Sequence, residues 1–366
     1  MRRALHPHLR VYQQVRNAHL ERAHASAPAS LVYADRRYDF DDSLADGLDL
    51  HRARTLRTAA LVAASPVRTL EVNEPAMRLG LVRAASAVAA ARATAAVRRR
   101  PVRVVTYAIG NLDEWQIPAD RVRARVRRRA ERVLSRWVAG RLDRIAYGTD
   151  GARRLYDELY GDRIEQADAV VVPALPERCG CLDRPGPARD PERVLFVGAL
   201  QERKGVLHLL AAWPQVVRER PGARLTVIGT GELESHVREV TDGLQGACLV
   251  VDPPRAVIHD ALREATVVVL LSQRTPTWRE QVGLPIVEGL AHGCTVVTTG
   301  ETGLAEWLAA HGHSVIPAGV PSDVVAGAVL DALGAARPPA TVLRDLPAED
   351  GRRAADAWLA DEAGVR

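Results

Sequence analysis

Apolar residues fall into two textures that alternate along the chain. Short Val-, Ile- and Leu-rich runs are followed by longer stretches in which apolar positions recur at helical spacing. The first texture is that of buried parallel strands and the second that of amphipathic helices. Their alternation predicts βα units and a doubly wound α/β fold. In the first half, strands are expected at Ser30–Ala34, Thr69–Val72, Val102–Thr106, Arg144–Tyr147 and Ala169–Val172. Helices are expected over Leu9–Ala25, Ala53–Ala64, Leu79–Val97, Asp120–Leu142 and Gly151–Tyr160, with Asp35–Asp49 a charged loop. Residues 176–191 hold four prolines and read as a linker.

A second alternating unit begins at Arg193. Strands are expected at Arg193–Val197, Ala223–Ile228, Cys248–Val251, Ala265–Leu271, Cys294–Thr299 and His313–Ile316. The helix over Gly205–Arg220 is expected to be interrupted near Pro214. The domains implied are residues 1–175, a linker at 176–192, residues 193–345, and a charged C-terminal helix within 346–366.

One stretch carries most of the candidate chemistry. Glu280 and Glu288 stand eight residues apart, with Gly283 and Pro285 between them. The run before them predicts a buried strand. Pro285 suits a first helical turn, where its missing N–H has no partner to lose, and Gly293 suits the helix end. Glu280 then lies in a strand-to-helix loop and Glu288 about one turn into the helix. Such loops sit at the carboxyl ends of the strands, where open α/β sheets bind ligands. The N–H groups near Gly283 and Leu284 are helix-start donors suited to an anion. A carboxylate one turn in can accept two hydrogen bonds from a diol. The pattern suits a ligand with both a phosphate and a sugar.

This segment resembles the E-x7-E signature of retaining GT-B glycosyltransferases, the nucleotide-sugar-dependent family 4. Three further stretches are similar to that family in the same order. They are Val194-Leu-Phe-Val-Gly198 with Glu202-Arg-Lys-Gly205, Leu225-Thr-Val-Ile-Gly-Thr-Gly231, and Thr299-Gly-Glu-Thr-Gly-Leu-Ala-Glu306. The resemblance covers roughly residues 193–335; the first half matches only in pattern. It implies a GT-B fold, two Rossmann-like doubly wound domains facing across a cleft, with the last helix crossing back to the first domain. It implies that Glu280 approaches the transferred sugar, that Glu288 holds the ribose, and that Lys204 contacts the donor diphosphate. The family usually adds an Arg five residues before that lysine. Here the position is Ala199, and Arg203 is the candidate substitute. Gly229 and Gly231 would let the nucleotide pass close to the backbone. No third glycine completes a dinucleotide fingerprint, because Glu234 stands there, so a dehydrogenase is not expected. The family's first-domain histidine has no counterpart between His51 and His208; Asn111 takes its place as the candidate contact to donor or acceptor. Trp278 is a candidate for lining the sugar pocket.

Composition changes this picture in a few respects. The chain has 366 residues, 47% of them apolar, and a formal charge of +5, enough for two cores. Lys204 is the only lysine. The helix predicted over Asp120–Leu142 has Val122, Val126, Ala130, Val133 and Trp137 on one face, expected to pack on the sheet. Eight arginines lie between Arg121 and Arg136. Such a helix can be a solvated face, or can meet an anionic membrane or acceptor. Nucleic-acid binding is not expected with so few aromatics. Asp39-Phe-Asp41 matches a metal-binding D-x-D but has no neighbouring ligand and reads as a solvated loop. Cys179 and Cys181 are spaced too tightly for the usual zinc pair. All four cysteines read as reduced thiols, and no residue is assigned to a metal. There is no signal-peptide core at the N-terminus, so a cytoplasmic protein is expected, with peripheral membrane contact as one option.

The leading expectation is a glycosyltransferase that uses a UDP- or GDP-type nucleotide-sugar, retains configuration, and needs neither metal nor cofactor. Its acceptor would be a small molecule or lipid-linked. A non-catalytic GT-B-like scaffold docking through the basic helix, and a GT-B sugar epimerase, are the alternatives.

Overall fold

The computed structural model describes residues 5–37, 40–118 and 121–361. It divides into two compact units. Unit 1 comprises residues up to Pro173 together with those from Arg352 onward, and unit 2 comprises Ala174–Gly351.

Unit 1 contains β1 (His8–Val15), α1 (Asn17–Ala25), β2 (Ser30–Arg36), β3 (Asp49–Arg52), α2 (Thr55–Ala64), β4 (Thr69–Val72), α3 (Leu81–Arg98), β5 (Arg103–Ala108), α4 (Val122–Ala139), β6 (Arg144–Tyr147), α5 (Asp150–Tyr160) and β7 (Asp168–Val171). Its sheet order is β3-β2-β1-β4-β5-β6-β7, parallel throughout. Unit 2 contains β8 (Asp190–Val197), α6 (Val206–Glu219), β9 (Arg224–Ile228), α7 (Glu234–Gly243), β10 (Ala247–Val250), α8 (Arg255–Glu264), β11 (Ala265–Leu270), α9 (Leu284–Ala291), β12 (Thr295–Thr299), α10 (Ala305–Ala310), β13 (Ser314–Ile316), α11 (Ser322–Gly334) and α12 (Pro339–Arg344). Its sheet, also parallel, runs β10-β9-β8-β11-β12-β13. The strand order reverses between β1 and β4 in unit 1 and between β8 and β11 in unit 2. These are the switch points where open α/β sheets take ligands.

Three local expectations are corrected. Leu9–Ala25 is not one helix: β1 occupies His8–Val15, and the helix starts only at Asn17. The misleading residue is Arg10. It is fully buried in the strand and ion-paired to Glu71 on β4, at 3.2 Å. The charged loop over Asp35–Asp49 begins within β2 and leads directly into the polar edge strand β3. Helix α6 runs through Pro214 without a break.

The last helix, α13 (Gly351–Ala360), belongs to unit 1 from Arg352 onward and is held there by buried charges. Arg352 donates to Glu71 at 2.6 Å and pairs with Asp356 at 3.0 Å, and Asp356 also pairs with Arg22 at 3.1 Å. Burial works to raise the Glu71 carboxyl, but Arg352, Arg10 and Arg22 outweigh it and hold the group well below the usual range. Removing one member would strand a buried charge, so the network fixes where α13 sits. Among the described residues no helix is long and apolar enough to cross a membrane.

Helix α4 differs from expectation. Val122, Val126 and Val133 are each 65% exposed. The side of α4 that is covered carries Glu131, Ser135, Val138 and Ala139 instead. Glu131 is buried because Arg78 and Arg127 both bond it, at 2.8 and 2.7 Å.

Candidate functional site

The site in unit 2 is built from the turns that follow β8, β11 and β12. After β8 the chain makes a tight turn over Gln201–Gly205. Gly205 has φ +75°, and a Cβ there would fall 2.0 Å from the Leu271 carbonyl oxygen. Gly229, after β9, is equally constrained: its Cβ would lie 1.9 Å from the Gly198 carbonyl oxygen. Glycine at these points lets the loops pack backbone on backbone. The Gln273 N–H, in the loop after β11, donates to the Arg203 carbonyl at 2.8 Å and ties the two loops together.

This packing brings Lys204 to Glu280. The ammonium donates to the Glu280 carboxylate at 2.5 Å, and Ser272 Oγ donates to the same oxygen at 2.9 Å. Glu280 is buried. Trp278 lies beside the pair, with the Arg203 guanidinium 4.2 Å and the Lys204 ammonium 5.0 Å from its ring centroid. Cations over an indole face are attracted by its quadrupole. Arg203 is further held by Gln201, at 2.6 Å. Two cations, an indole and a carboxylate thus meet at the switch point of the sheet.

The turn after β12 clamps this loop. Gly303 N–H donates to Gln281 O at 2.9 Å, Thr302 Oγ1 to Val282 O at 2.7 Å, and Arg279 pairs with Glu301 at 2.8 Å. Gly283, at φ +86°, then caps α9, with Pro285 in the first turn and Leu284 exposed. Glu288, in the middle of α9, is half-buried and pairs with Arg255 on α8 at 2.7 Å.

The structure therefore joins Arg203, Lys204, Trp278 and Glu280 by direct contact. Gly283 and Leu284 start the helix that follows the same loop. Glu288 contacts Arg255. Gly229 and Gly231 sit under the β8 turn, where the close approach of Gly198 and Leu200 accounts for both. Asn111 belongs to unit 1. It is buried in the loop after β5, next to Gly110, whose N–H donates to Glu74 at 3.0 Å. Of the D-x-D residues, Asp39 lies outside the described residues, and Asp41 caps a 3-10 turn by accepting from the Ser43 N–H.

Ser272, Arg255 and Glu74 were not singled out from sequence. Ser272 and Arg255 are recognisable only once their carboxylate partners are in place. Glu74 follows β4 at the unit 1 switch point, in Asn73-Glu74-Pro75. Burial raises its carboxyl to about 7, against the opposing backbone hydrogen bonds of Ile109 and Gly110.

Two parallel-sheet Rossmann-like units of this kind define the GT-B fold, the architecture of the solved glycosyltransferases this chain resembles. Structures of HepE from Anabaena in complex with UDP (TM-score 0.64, 14% identity, 97% of this chain and 96% of that one) and of the lipopolysaccharide outer core galactosyltransferase WaaB (TM-score 0.65, 12% identity, 96% and 98%) share the fold. In sequence, residues 191–334 match the family model for glycosyl transferases group 1. The chain is 31% identical over 183 residues to a D-inositol 3-phosphate glycosyltransferase of Kineococcus radiotolerans, covering 44% of this chain and 40% of that protein. It is 32% identical over 163 residues to a phosphatidyl-myo-inositol mannosyltransferase of Mycolicibacterium smegmatis, covering 43% and 39%. The chain thus spans about two fifths of the length of the curated relatives it matches.

Proposed function

We propose that this protein is a glycosyltransferase that binds a UDP- or GDP-type nucleotide-sugar on unit 2 and transfers the sugar with retention to a small-molecule or lipid-linked acceptor. The observation that carries the reading is the Lys204–Glu280 pair, flanked by Arg203 on Trp278, at the switch point ahead of the α9 start. Matches to the group 1 family model over residues 191–334 and to a UDP-bound neighbour support it.

In this reading, Lys204, Arg203 and the α9 N–H groups stabilise the departing diphosphate, which is preorganised electrostatic catalysis without a catalytic metal. Arg203 supplies the cation that Ala199 does not, held by Trp278 and Gln201. The bond from the anomeric carbon to the diphosphate oxygen breaks, and its electron pair leaves with the phosphate. The acceptor oxygen bonds to the anomeric carbon on the same face, and its proton passes to the departing diphosphate. Glu280 positions the sugar and stabilises the positive charge that develops. Glu288 takes the ribose diol in place of Arg255. Asn111 serves the sugar or acceptor as a hydrogen-bonding group.

The exposed valines of α4 favour a second role for that helix, as a docking face for an anionic membrane carrying the acceptor. A panel of nucleotide-sugars in a thermal-shift assay, followed by product analysis with acceptors, tests the function. A ligand that binds only the native state raises the melting temperature. Stabilisation by one nucleotide-sugar with transfer is expected. No stabilisation by any would support the non-catalytic scaffold, and donor isomerisation without an acceptor would support an epimerase.

A further inference from the structure

Unit 2 gathers four metal-binding side chains away from the Lys204–Glu280 pair. Cys179 and Cys181 flank Gly180 at a 3-10 turn ahead of β8. His259 lies on α8, and His292 ends α9 at the opposite end from Gly283. Cys179 Sγ is 3.0 Å from Cys181 Sγ and 3.6 Å from His259 Nδ1. His292 Nε2 is 3.2 Å from Cys181 Sγ and 3.1 Å from His259 Nδ1. All four atoms lie within 4.8 Å of one another. A tetrahedral ion at about 2.3 Å from sulfur and about 2.0 Å from nitrogen sets its ligand atoms roughly 3.3–3.8 Å apart. Four of the six ligand pairs, at 3.0–3.6 Å, lie at or somewhat inside that spacing.

The surroundings are also those of a metal centre. His292 Nδ1 hydrogen-bonds the Glu288 carbonyl at 2.7 Å. As the donor in that bond, Nδ1 carries the proton and Nε2 turns its lone pair into the cluster, the orientation metal-ligating histidines take. Cys179 N–H donates to Ala291 O at 2.9 Å, and Arg263 donates to Cys181 O at 2.9 Å. The thiol pair is therefore fixed to both helices through its backbone.

We propose that Cys179, Cys181, His259 and His292 bind one zinc ion as a structural site. The ion would replace the two thiol protons, and its charge would balance the two thiolates. Four protein ligands leave no open position for water or substrate, which separates a structural from a catalytic zinc. Taken alone, the Cys-x-Cys spacing is too tight for the usual zinc pair, which argues against zinc. The two histidines, 80 and 111 residues beyond the cysteines they contact, reverse that conclusion. The ion would fasten the proline-rich segment before β8 to α8 and α9. These are the helices that carry the paired Arg255 and Glu288, so the zinc would fix the frame behind Glu288 without touching it.

The test is metal analysis of the full chain, purified without an affinity tag that binds metal. About one zinc per chain is expected, and Cys179→Ser/Cys181→Ser should contain at least tenfold less. Because that variant can fail to fold, the wild-type chain is also stripped with a chelator and titrated with cobalt(II). A tetrahedral cobalt spectrum with a thiolate charge-transfer band, bleached by zinc, is expected. Less than about a tenth of an equivalent of zinc as isolated, together with only an octahedral cobalt spectrum in a chain still folded by circular dichroism, overturns the proposal. So does equal reactivity of Cys179 and Cys181 toward a thiol reagent with and without added zinc.

Discussion

Lys204 and Glu280, 76 residues apart in sequence, form a 2.5 Å ion pair between the turns that follow β8 and β11, with both side chains largely buried. Burial makes the pair costly to break from one side only. Lys204→Ala leaves a carboxylate with too little compensation and should destabilise unit 2 by roughly 3 kcal/mol. Adding Glu280→Ala should recover part of that loss, because the stranded charge goes too. Donor affinity should fall at least tenfold in Lys204→Ala, while Glu280→Ala should lower turnover by about a hundredfold with a smaller change in affinity. Urea melts and single-turnover kinetics read both. A double variant no more stable than Lys204→Ala, or normal turnover in Glu280→Ala, would contradict the roles given to the pair.

Glu288 and Arg255 present the opposite energetics. Arg255 is 63% exposed, so solvent screens the pair and its removal should cost well under about 1 kcal/mol. In the proposed reading the ribose displaces Arg255. Arg255→Ala should then leave the nucleotide-sugar dissociation constant unchanged or slightly lower. Glu288→Gln loses a charged acceptor worth about 1.5–3 kcal/mol and should weaken binding tenfold or more. Calorimetry on both variants decides it. Equal losses would mean that the pair acts as a unit and that Glu288 does not hold the diol alone.

Gly205 and Gly300 separate backbone constraint from simple proximity to the site. At Gly205 an added methyl meets the Leu271 carbonyl at 2.0 Å, and the residue has φ +75°; at Gly300 nothing lies within 4 Å of the added methyl. Gly205→Ala must push the β8 turn off the β11 loop and should destabilise by roughly 3 kcal/mol or more, with Lys204 displaced. Gly300→Ala should stay within about 0.5 kcal/mol of the parent. Thermal melts of the two variants check this, and a mild effect at Gly205 would show that the turn can relax.

How far the chain could be read depended on where each residue's partner lies. The βα alternation was legible because Val- and Leu-rich runs such as Ala265–Leu270 are buried on both faces. Strand β1 was not, because Arg10 looks solvent-seeking until Glu71 is seen beside it. In α4 the helix was legible but not its covered side: valine spacing defines a stripe, and the partners of Glu131 lie in a distant loop and on α4 itself. In the site, the positions of Lys204 and Glu280 after buried strands were legible. Their direct contact was not, and neither were the roles of Ser272 and Arg255. The cysteine–histidine cluster was hidden for the same reason, since its halves lie on separate elements.

Val126 and Val133, exposed among arginines on α4, can be tested as a docking face. Cosedimentation with vesicles rich in anionic lipid should show binding that weakens as salt screens the arginines. Val126→Asp/Val133→Asp should reduce binding at least tenfold while leaving stability within about 0.5 kcal/mol per site, as expected of surface positions. Undiminished binding would remove the valines from the interface, and no binding by the parent would remove α4 altogether.

Glu74 gives unit 1 a pH dependence whose sign is fixed by burial. The carboxyl ionises near 4.5 in the unfolded chain and at about 7 in the folded one. Between these values the folded chain holds a proton that the unfolded chain has released. The associated stability is fully present below pH 4.5 and is lost as pH rises through 7. At one pKa unit per about 1.4 kcal/mol, the loss by pH 8 is at most roughly 3.5 kcal/mol. Glu74→Gln keeps an oxygen for the Gly110 N–H but cannot ionise. Relative to the parent, the variant should melt at a similar temperature at pH 5 and at a higher one at pH 8. A parallel shift at both pH values would mean that the folded chain, like the unfolded one, has already released the Glu74 proton by pH 5.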